Sequence, residues 1–217
     1  MSWALLEGYE KKRALRAQML ALRNSKPASE LDQLSSEITA RLLEFPTVKE
    51  ALTISTYLNV GSEVRTRGFV DWALGNGKRI IVPVVERANK RLIFSEFKAP
   101  EELGRGAHGI PEPKREFRRA VALEQADLIL VPGVAWDRKG FRIGYGAGYY
   151  DRSINALRTH ITTVGLAYEF QFISSVPRSR YDQRVDKIVT ESRIIDTRHP
   201  DVSAHFMSNR VSSDSSV

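Results

Sequence analysis

Hydrophobic positions follow two rhythms along the chain, a helical one at the start and a strand-like one after it. Over residues 4–23, Leu5, Leu15, Met19 and Leu22 recur at helical spacing among Lys11, Lys12, Arg13, Arg16 and Arg23. That pattern predicts one basic amphipathic helix. Ser29 is placed to cap a second helix running to about Glu44, with Asp32 three residues on as an acidic variant of the capping box.

From residue 51 onward the rhythm changes to short apolar runs separated by helical segments. "ALTISTYL" (51–58) is β-branched and apolar and predicts a buried strand. "RTRGFVDWALGNG" (65–77) predicts a helix ending in a glycine stop, and "KRIIVPVV" (78–85) the next strand. "RLIFSEF" (91–97) alternates as a partly exposed strand does, whereas "DLILVPG" (127–133) is the most apolar short run and predicts a central one. "TTVGLAY" (162–168) and "KIVTESRII" (187–195) predict one strand each. Strands alternating with helices give an α/β domain with a mainly parallel sheet. Residues 98–126 form the least regular connection, rich in glycine, proline and basic side chains.

Length and composition fit this picture. With 217 residues and 24.5 kDa, the chain suits a single domain over 1–197. Residues 198–217, ending "SNRVSSDSSV", have few apolar anchors and are expected to form a mobile tail. The absence of cysteine excludes a disulfide framework and any thiolate zinc site, and agrees with a cytoplasmic address. The N-terminus lacks a signal-peptide layout, and no apolar run approaches the roughly 20 residues of a membrane helix. A net charge of +7 suggests an anionic partner: nucleic acid, a nucleotide or a polycarboxylated metabolite.

The candidate chemistry lies in "GYGAGYYDR", residues 144–152, in the loop after the strand predicted to be central. Ligands of an open parallel sheet sit beyond the carboxyl ends of its strands. Glycines there let backbone approach a phosphate, and the first N–H groups of a helix beginning near Tyr149 would point at it. Arg142 would add a positive fork suited to phosphate oxygens, and Asp151 at the helix start is placed to hold Mg²⁺. Gly144, Gly146 and Gly148 alone leave a plain tight turn equally open. The spacing matches neither a dinucleotide fingerprint nor a Walker loop, and "GNGKR" (75–79) reads as a helix-to-strand turn. His108, His160, His199 and His205 have no metal-ligand spacing. Lys114, Arg115, Arg118 and Arg119 surround Phe117 as a solvated face, a nucleic-acid patch or a surface for polyglutamylated folate.

Read in context, "PGVAWDRKGFRIGYGAGYYDR" (132–152) resembles the signature of the 5-formyltetrahydrofolate cyclo-ligase family. The likeness runs from Lys12 to Thr190. "KRALR" (12–16) resembles the family's N-terminal cationic motif, and "YLNVGSEVRT" (57–66) the segment ending its first strand. "HGIPEP" (108–113) and "YDQRVDKIVT" (181–190) resemble later family segments, the last of pattern D-x-x-V-D. Ala147 stands where members commonly carry Gly or Lys, and Trp136 where Phe is more usual.

The resemblance implies a three-layer α/β/α fold like that of ribose-5-phosphate isomerase and CoA transferases. It implies ATP-dependent cyclisation of 5-formyltetrahydrofolate to 5,10-methenyltetrahydrofolate, with Mg²⁺ as cofactor. Lys12, Arg13, Ala14, Leu15 and Arg16 would bind ATP, with Arg142, Ile143, Gly144, Tyr145, Gly146, Ala147, Gly148, Tyr149 and Tyr150. Leu58 and Glu63 would face the folate, with Tyr145, Gly146, Ala147, Gly148 and Tyr149 beside them. Asp151 and Asp186 would hold the metal, and Pro111 would wall the folate pocket. The partners are then reduced folate and ATP, with no membrane, and the chain a monomer or weak homodimer. Two other readings stay open: a paralogue acting on another substrate, for example in thiamine-related metabolism, and a basic nucleic-acid binder.

Overall fold

The structure, a computed structural model, describes residues 3–199 apart from 107 and 108. Three helices open the chain: α1 (Trp3–Asn24), α2 (Ala28–Glu44) and the short α3 (Pro46–Glu50). Then come β1 (Thr53–Ser55), α4 (Arg67–Gly75), β2 (Arg79–Glu86) and β3 (Arg91–Phe97). The irregular connection holds a hairpin, β4 (Leu103–Arg105) with β5 (Pro111–Pro113), and then β6 (Arg119–Val121). After β7 (Leu128–Val131), a second hairpin pairs β8 (Ala135–Trp136) with β9 (Arg142–Ile143). Helix α5 (Tyr149–Asn155) and strands β10 (Thr162–Leu166), β11 (Lys187–Val189) and β12 (Ile194–Asp196) follow.

Eight strands form one sheet in the order β12-β11-β10-β7-β1-β2-β3-β6. The inner five pair in parallel, and β12, β3 and β6 add antiparallel edges. β7 is central and buried throughout, as its unbroken apolar run requires when both sheet faces are covered. Its side chains alternate between two cores. Leu128 and Leu130 meet Leu31, Ile38, Phe69 and Val70 of α2 and α4 on one face. Ile129 and Val131 meet Ile188, Trp136 and Ile154 on the other, which α5 and the second hairpin cover. The result is an α/β fold with helices on both faces of a mostly parallel sheet.

Several elements differ from the sequence expectation, each for a local reason. α2 starts at Ala28 behind Pro27, so Ser29 lies inside the first turn and caps nothing. Asp32 is drawn away to accept a hydrogen bond from Arg65 at 2.8 Å. β1 has three residues rather than eight, because its ladder with β2 and β7 ends at Ser55 and the chain beyond leaves the sheet. "KIVTESRII" is two strands, not one. The Thr190 hydroxyl accepts the N–H groups of Ser192 and Arg193 and folds the segment into a hairpin with Ile188 opposite Ile195. Residues 200–217, which hold most of the expected tail, lie outside the described residues, as do His108 and His205.

The basic cluster is engaged inside its own connection. Arg119 forms a two-pronged pair with buried Glu102 at 2.7 and 2.9 Å. Lys114 donates to the carbonyl of Glu101 and sits over the Phe117 ring, and Arg118 donates to the carbonyl of Pro113. Those bonds tie three of the four cations to their own loop, while Lys114, Arg115 and Arg118 remain exposed. "GNGKR" is the plain turn expected, with Gly77 at φ +72° and Lys78 donating to the carbonyls of Lys49 and Ala51.

Candidate active site

After β1 the chain crosses to β2 on one side, whereas from β7 it continues to β10 and β11 on the other. The carboxyl ends of β1 and β7 therefore diverge, and such a switch point leaves a crevice above the sheet. A cavity of about 500 Å³ occupies it. Tyr57, Leu58, Val60 and Glu63 wall it after β1, Pro83 and Val85 on β2, and Pro132 and Gly133 after β7. Ile110, Pro111 and Glu112 from the irregular connection close one side, as expected for Pro111. The opposite wall is the glycine loop and α5: Gly144, Tyr145, Ala147, Gly148, Tyr149, Tyr150 and Asp151.

The glycine loop is held open by backbone conformations that favour glycine. Gly146 sits at φ +108° and Gly148, the residue capping α5, at φ +64°. Gly144 needs no such freedom, and a Cβ there would meet open space. The loop starts from β9, where Arg142 is almost wholly buried. Arg142 donates to the Asp151 carboxylate and to the carbonyl of Gln183, both at 3.0 Å. Burial lowers the tendency of this guanidinium to hold its proton, and the nearby Asp151 and Asp182 carboxylates oppose that effect. Gln183 in turn donates its N–H to Asp151. Arg142 and Gln183 thus fix the acid at the mouth of the cavity.

Helix α1 reaches the same loop from outside. Arg16 donates to the carbonyl of Gly144 at 2.7 Å, and Lys12 is paired with Asp182. The i, i+4 spacing puts both cations on one helix face. Met19 continues that face into a core with Val134, Ile143 and Val176. Arg23, four residues further, is buried beneath the cavity. It donates to the Ser62 hydroxyl at 2.9 Å, the Gly133 carbonyl at 3.3 Å and the Tyr145 hydroxyl at 2.7 Å.

At the far wall Glu63 is buried. Burial pushes its carboxyl up, while the Val60 N–H at 2.8 Å, the Arg23 charge and the Tyr145 hydroxyl hold it back. Tyr150 has its phenol raised above the ordinary range by burial, with Glu63 acting in the same direction. Among the described residues its buried hydroxyl has no hydrogen-bond partner.

The structure gathers most of the expected residues and sets others apart. Arg13 points outward toward Glu10, Ala14 is exposed, and Leu15 and Ile143 pack in the core against Met19. These four do not line the cavity, and neither do Lys12, Arg16 and Gly146. Asp186 does not line it either. Its carboxylate accepts the N–H and hydroxyl of Thr163, both at 2.9 Å, and meets His160 at the amino ends of β10 and β11. Burial raises the Asp186 carboxyl, but those bonds outweigh it and hold the group below its usual range. The acid of the D-x-x-V-D motif on the side of α1 is Asp182, which pairs with Lys12 and whose charge acts on Arg142. Sequence reasoning missed Asp182, Gln183 and Arg23 around the site, and Val60, Pro83, Val85 and Leu92 on the cavity wall. For Arg23 a signal exists, since Lys12, Arg16, Met19 and Arg23 follow i, i+4, i+7, i+11.

The profile of the 5-formyltetrahydrofolate cyclo-ligase family matches residues 9–191. The chain belongs to that family. It is 32% identical over 178 residues to the probable 5-formyltetrahydrofolate cyclo-ligase of Schizosaccharomyces pombe, covering 76% of this chain and 87% of the relative. It is 28% identical over 164 residues to the 5-formyltetrahydrofolate cyclo-ligase of Escherichia coli K12, covering 75% and 90%. Among solved structures, the 5,10-methenyltetrahydrofolate synthetase of Aquifex aeolicus superposes with a TM-score of 0.76 at 32% identity. That match covers 91% of this chain and 98% of the other. Three of the segments that carry the resemblance contribute to the cavity walls, namely the segment after β1, the strand β5 and the loop from Arg142 to Asp151, whereas 12–16 and 181–190 do not line it.

Proposed function

We propose that the chain is a cytoplasmic, ATP-dependent and Mg²⁺-assisted cyclo-ligase that converts 5-formyltetrahydrofolate to 5,10-methenyltetrahydrofolate. One observation carries the reading: an apolar cavity at the switch point has a buried acid, Glu63, at one end and a glycine loop running into a helix start at the other. The apolar walls suit a pterin ring, whose N–H groups a carboxylate accepts well. The loop amides and the start of α5 suit phosphates.

The formyl carbon on N5 is amide-like, with an oxygen that leaves poorly. Transfer of the γ-phosphoryl group forms a bond from that oxygen to phosphorus, and the bond to the ADP oxygen breaks. N10 then attacks the formyl carbon and loses its proton. The carbon–oxygen bond breaks, and phosphate departs with that oxygen. Such chemistry needs positioning and charge neutralisation rather than a covalent nucleophile.

Each residue has a place in this scheme. Glu63 orients the pterin, Leu58 and Tyr149 wall it, and the amides from Gly144 to Tyr150 cradle the phosphates. Arg16 holds the loop and Lys12 adds charge beside it, while Arg142 fixes Asp151. Among the described residues no cluster of three or more His, Asp or Glu forms a ready cation cage. Mg²⁺ seldom needs one, because one or two carboxylates and the substrate phosphates suffice. Asp151 and Asp182, both beside the Arg142 guanidinium, would hold it. When bound, the ion neutralises charge on the transferring phosphoryl group.

A label in the formyl oxygen tests the chemistry apart from the binding. With heavy oxygen in the formyl group, the inorganic phosphate released should carry it, as read by mass spectrometry. Unlabelled phosphate beside labelled water would contradict phosphorylation of the formyl oxygen.

A further inference from the structure

Arg23 is a buried charge that the scheme above leaves unused. Its three hydrogen bonds go to three separate parts of the site. Nε donates to Ser62 beside the folate-facing acid, one terminal nitrogen to Gly133 at the end of β7, and the other to Tyr145 in the glycine loop. The Tyr145 hydroxyl accepts from Arg23, and Ser62, the neighbour of Glu63, accepts from the same guanidinium. The guanidinium charge and the Tyr145 hydroxyl both favour the ionised Glu63 carboxylate. Tyr145 is otherwise largely exposed, and its ring packs near the same guanidinium. A residue in a loop that would hold phosphates is thus tied to the acid that would hold the pterin.

Resting on the cyclo-ligase reading, we propose that Arg23 is a positioning residue that couples the two substrate sites. Its bond to Tyr145 draws the nucleotide loop against Glu63, so that seating one substrate prepares the place of the other. The bond is charge-assisted, and its donor guanidinium is buried. The helix bearing Arg23 also grips the loop through Arg16 at Gly144, so one rigid element joins both contacts. An ordered arrangement matters for this reaction because the formyl oxygen and the γ-phosphorus come from different molecules.

The coupling has a second consequence for Glu63. The groups facing that acid are Arg23 from α1, Tyr57 after β1, Tyr145 from the glycine loop and Tyr150 on α5. Arg23 is the cation among them, and its charge favours the ionised carboxylate against burial. Loss of that charge shifts protonation of Glu63 to higher pH, and the acid limb of kcat/KM for folate moves up with it.

The test measures binding of 5-formyltetrahydrofolate by calorimetry, with and without a non-hydrolysable ATP analogue and Mg²⁺. The unaltered protein should bind folate about tenfold tighter when the analogue is present, the size expected of one charge-assisted hydrogen bond. Tyr145→Phe removes a single hydroxyl, and Arg23→Lys keeps the charge but cannot span the three acceptors in the same geometry. Both should lose the gain while keeping affinity for the analogue alone within about twofold. Arg23→Gln should in addition move the acid limb upward, and Arg23→Lys should not. A gain that persists in Tyr145→Phe, or is absent from a protein that turns over, overturns the coupling. Loss of turnover in the unaltered protein overturns the reaction itself, so the two failures are distinguishable.

Discussion

Replacing Arg142 with alanine is expected to lower kcat/KM for the cyclisation by about two to three orders of magnitude. Arg142 is nearly inaccessible, and two of its N–H groups are committed to Asp151 and to the carbonyl of Gln183. Without it the Asp151 carboxylate loses its main tether at the cavity mouth, and the charge behind the glycine loop disappears. The effect should appear in kcat as well as in the KM for ATP, because a mispositioned acid is not restored by saturating nucleotide. Arg142→Lys should recover little, since an ammonium cannot span both acceptors in the same geometry. Stability should fall by about 1–3 kcal/mol, because Asp151 stays partly solvated when its partner is lost. Steady-state kinetics beside thermal unfolding separate the two effects. A variant with unchanged kinetics would remove the role given to Arg142.

A second large effect is expected beneath the site. The indole of Trp136 is fully buried and slots between two glycines. A Cβ on Gly165 would lie 2.4 Å from the ring, as would one on Gly133. Gly165 is on β10, paired with Val131 of β7 and Ile188 of β11, so its backbone has little room to shift. Gly165→Ala should therefore destabilise the protein by about 3 kcal/mol, lowering Tm by roughly 6–12 °C. Trp136→Phe shortens the ring and removes an indole N–H that has no hydrogen-bond partner among the described residues. Combined with Gly165→Ala, it should return more than about 1 kcal/mol, a coupling that a thermodynamic cycle measures directly. Strict additivity of the two substitutions would show that the glycine is not there for the ring.

Particular residues show what sequence could reveal. β3 runs from Arg91 to Phe97 as its alternation indicates, β7 is central as its apolar run requires, and α5 begins at Tyr149 behind the last loop glycine. These elements are set by local pattern, and pattern is what a sequence displays. Arg23 was read as one more cation on a basic helix, because its partners lie 39, 110 and 122 positions away. The helical series Lys12, Arg16, Met19 and Arg23 marks its face, but a local rhythm does not name partners at such distances. The hairpin at Thr190 was hidden because a side-chain turn interrupts a run that otherwise reads as continuous strand. The aspartates of the closing motif could not be told apart by spacing. Only the path of the chain puts Asp182 beside Lys12 and leaves Asp186 on Thr163. The wall supplied by Ile110 and Pro111 was signalled only by the resemblance of "HGIPEP", since the irregular connection around it shows no periodicity.

The central claim is that this cavity joins a reduced folate to a nucleotide. Purified protein is incubated with 5-formyltetrahydrofolate, ATP and Mg²⁺, following methenyltetrahydrofolate absorbance and released phosphate together. The two products should appear in equal amounts, and neither should appear when ATP or Mg²⁺ is left out. Phosphate release without the methenyl chromophore, or no turnover by correctly folded protein, would contradict the claim.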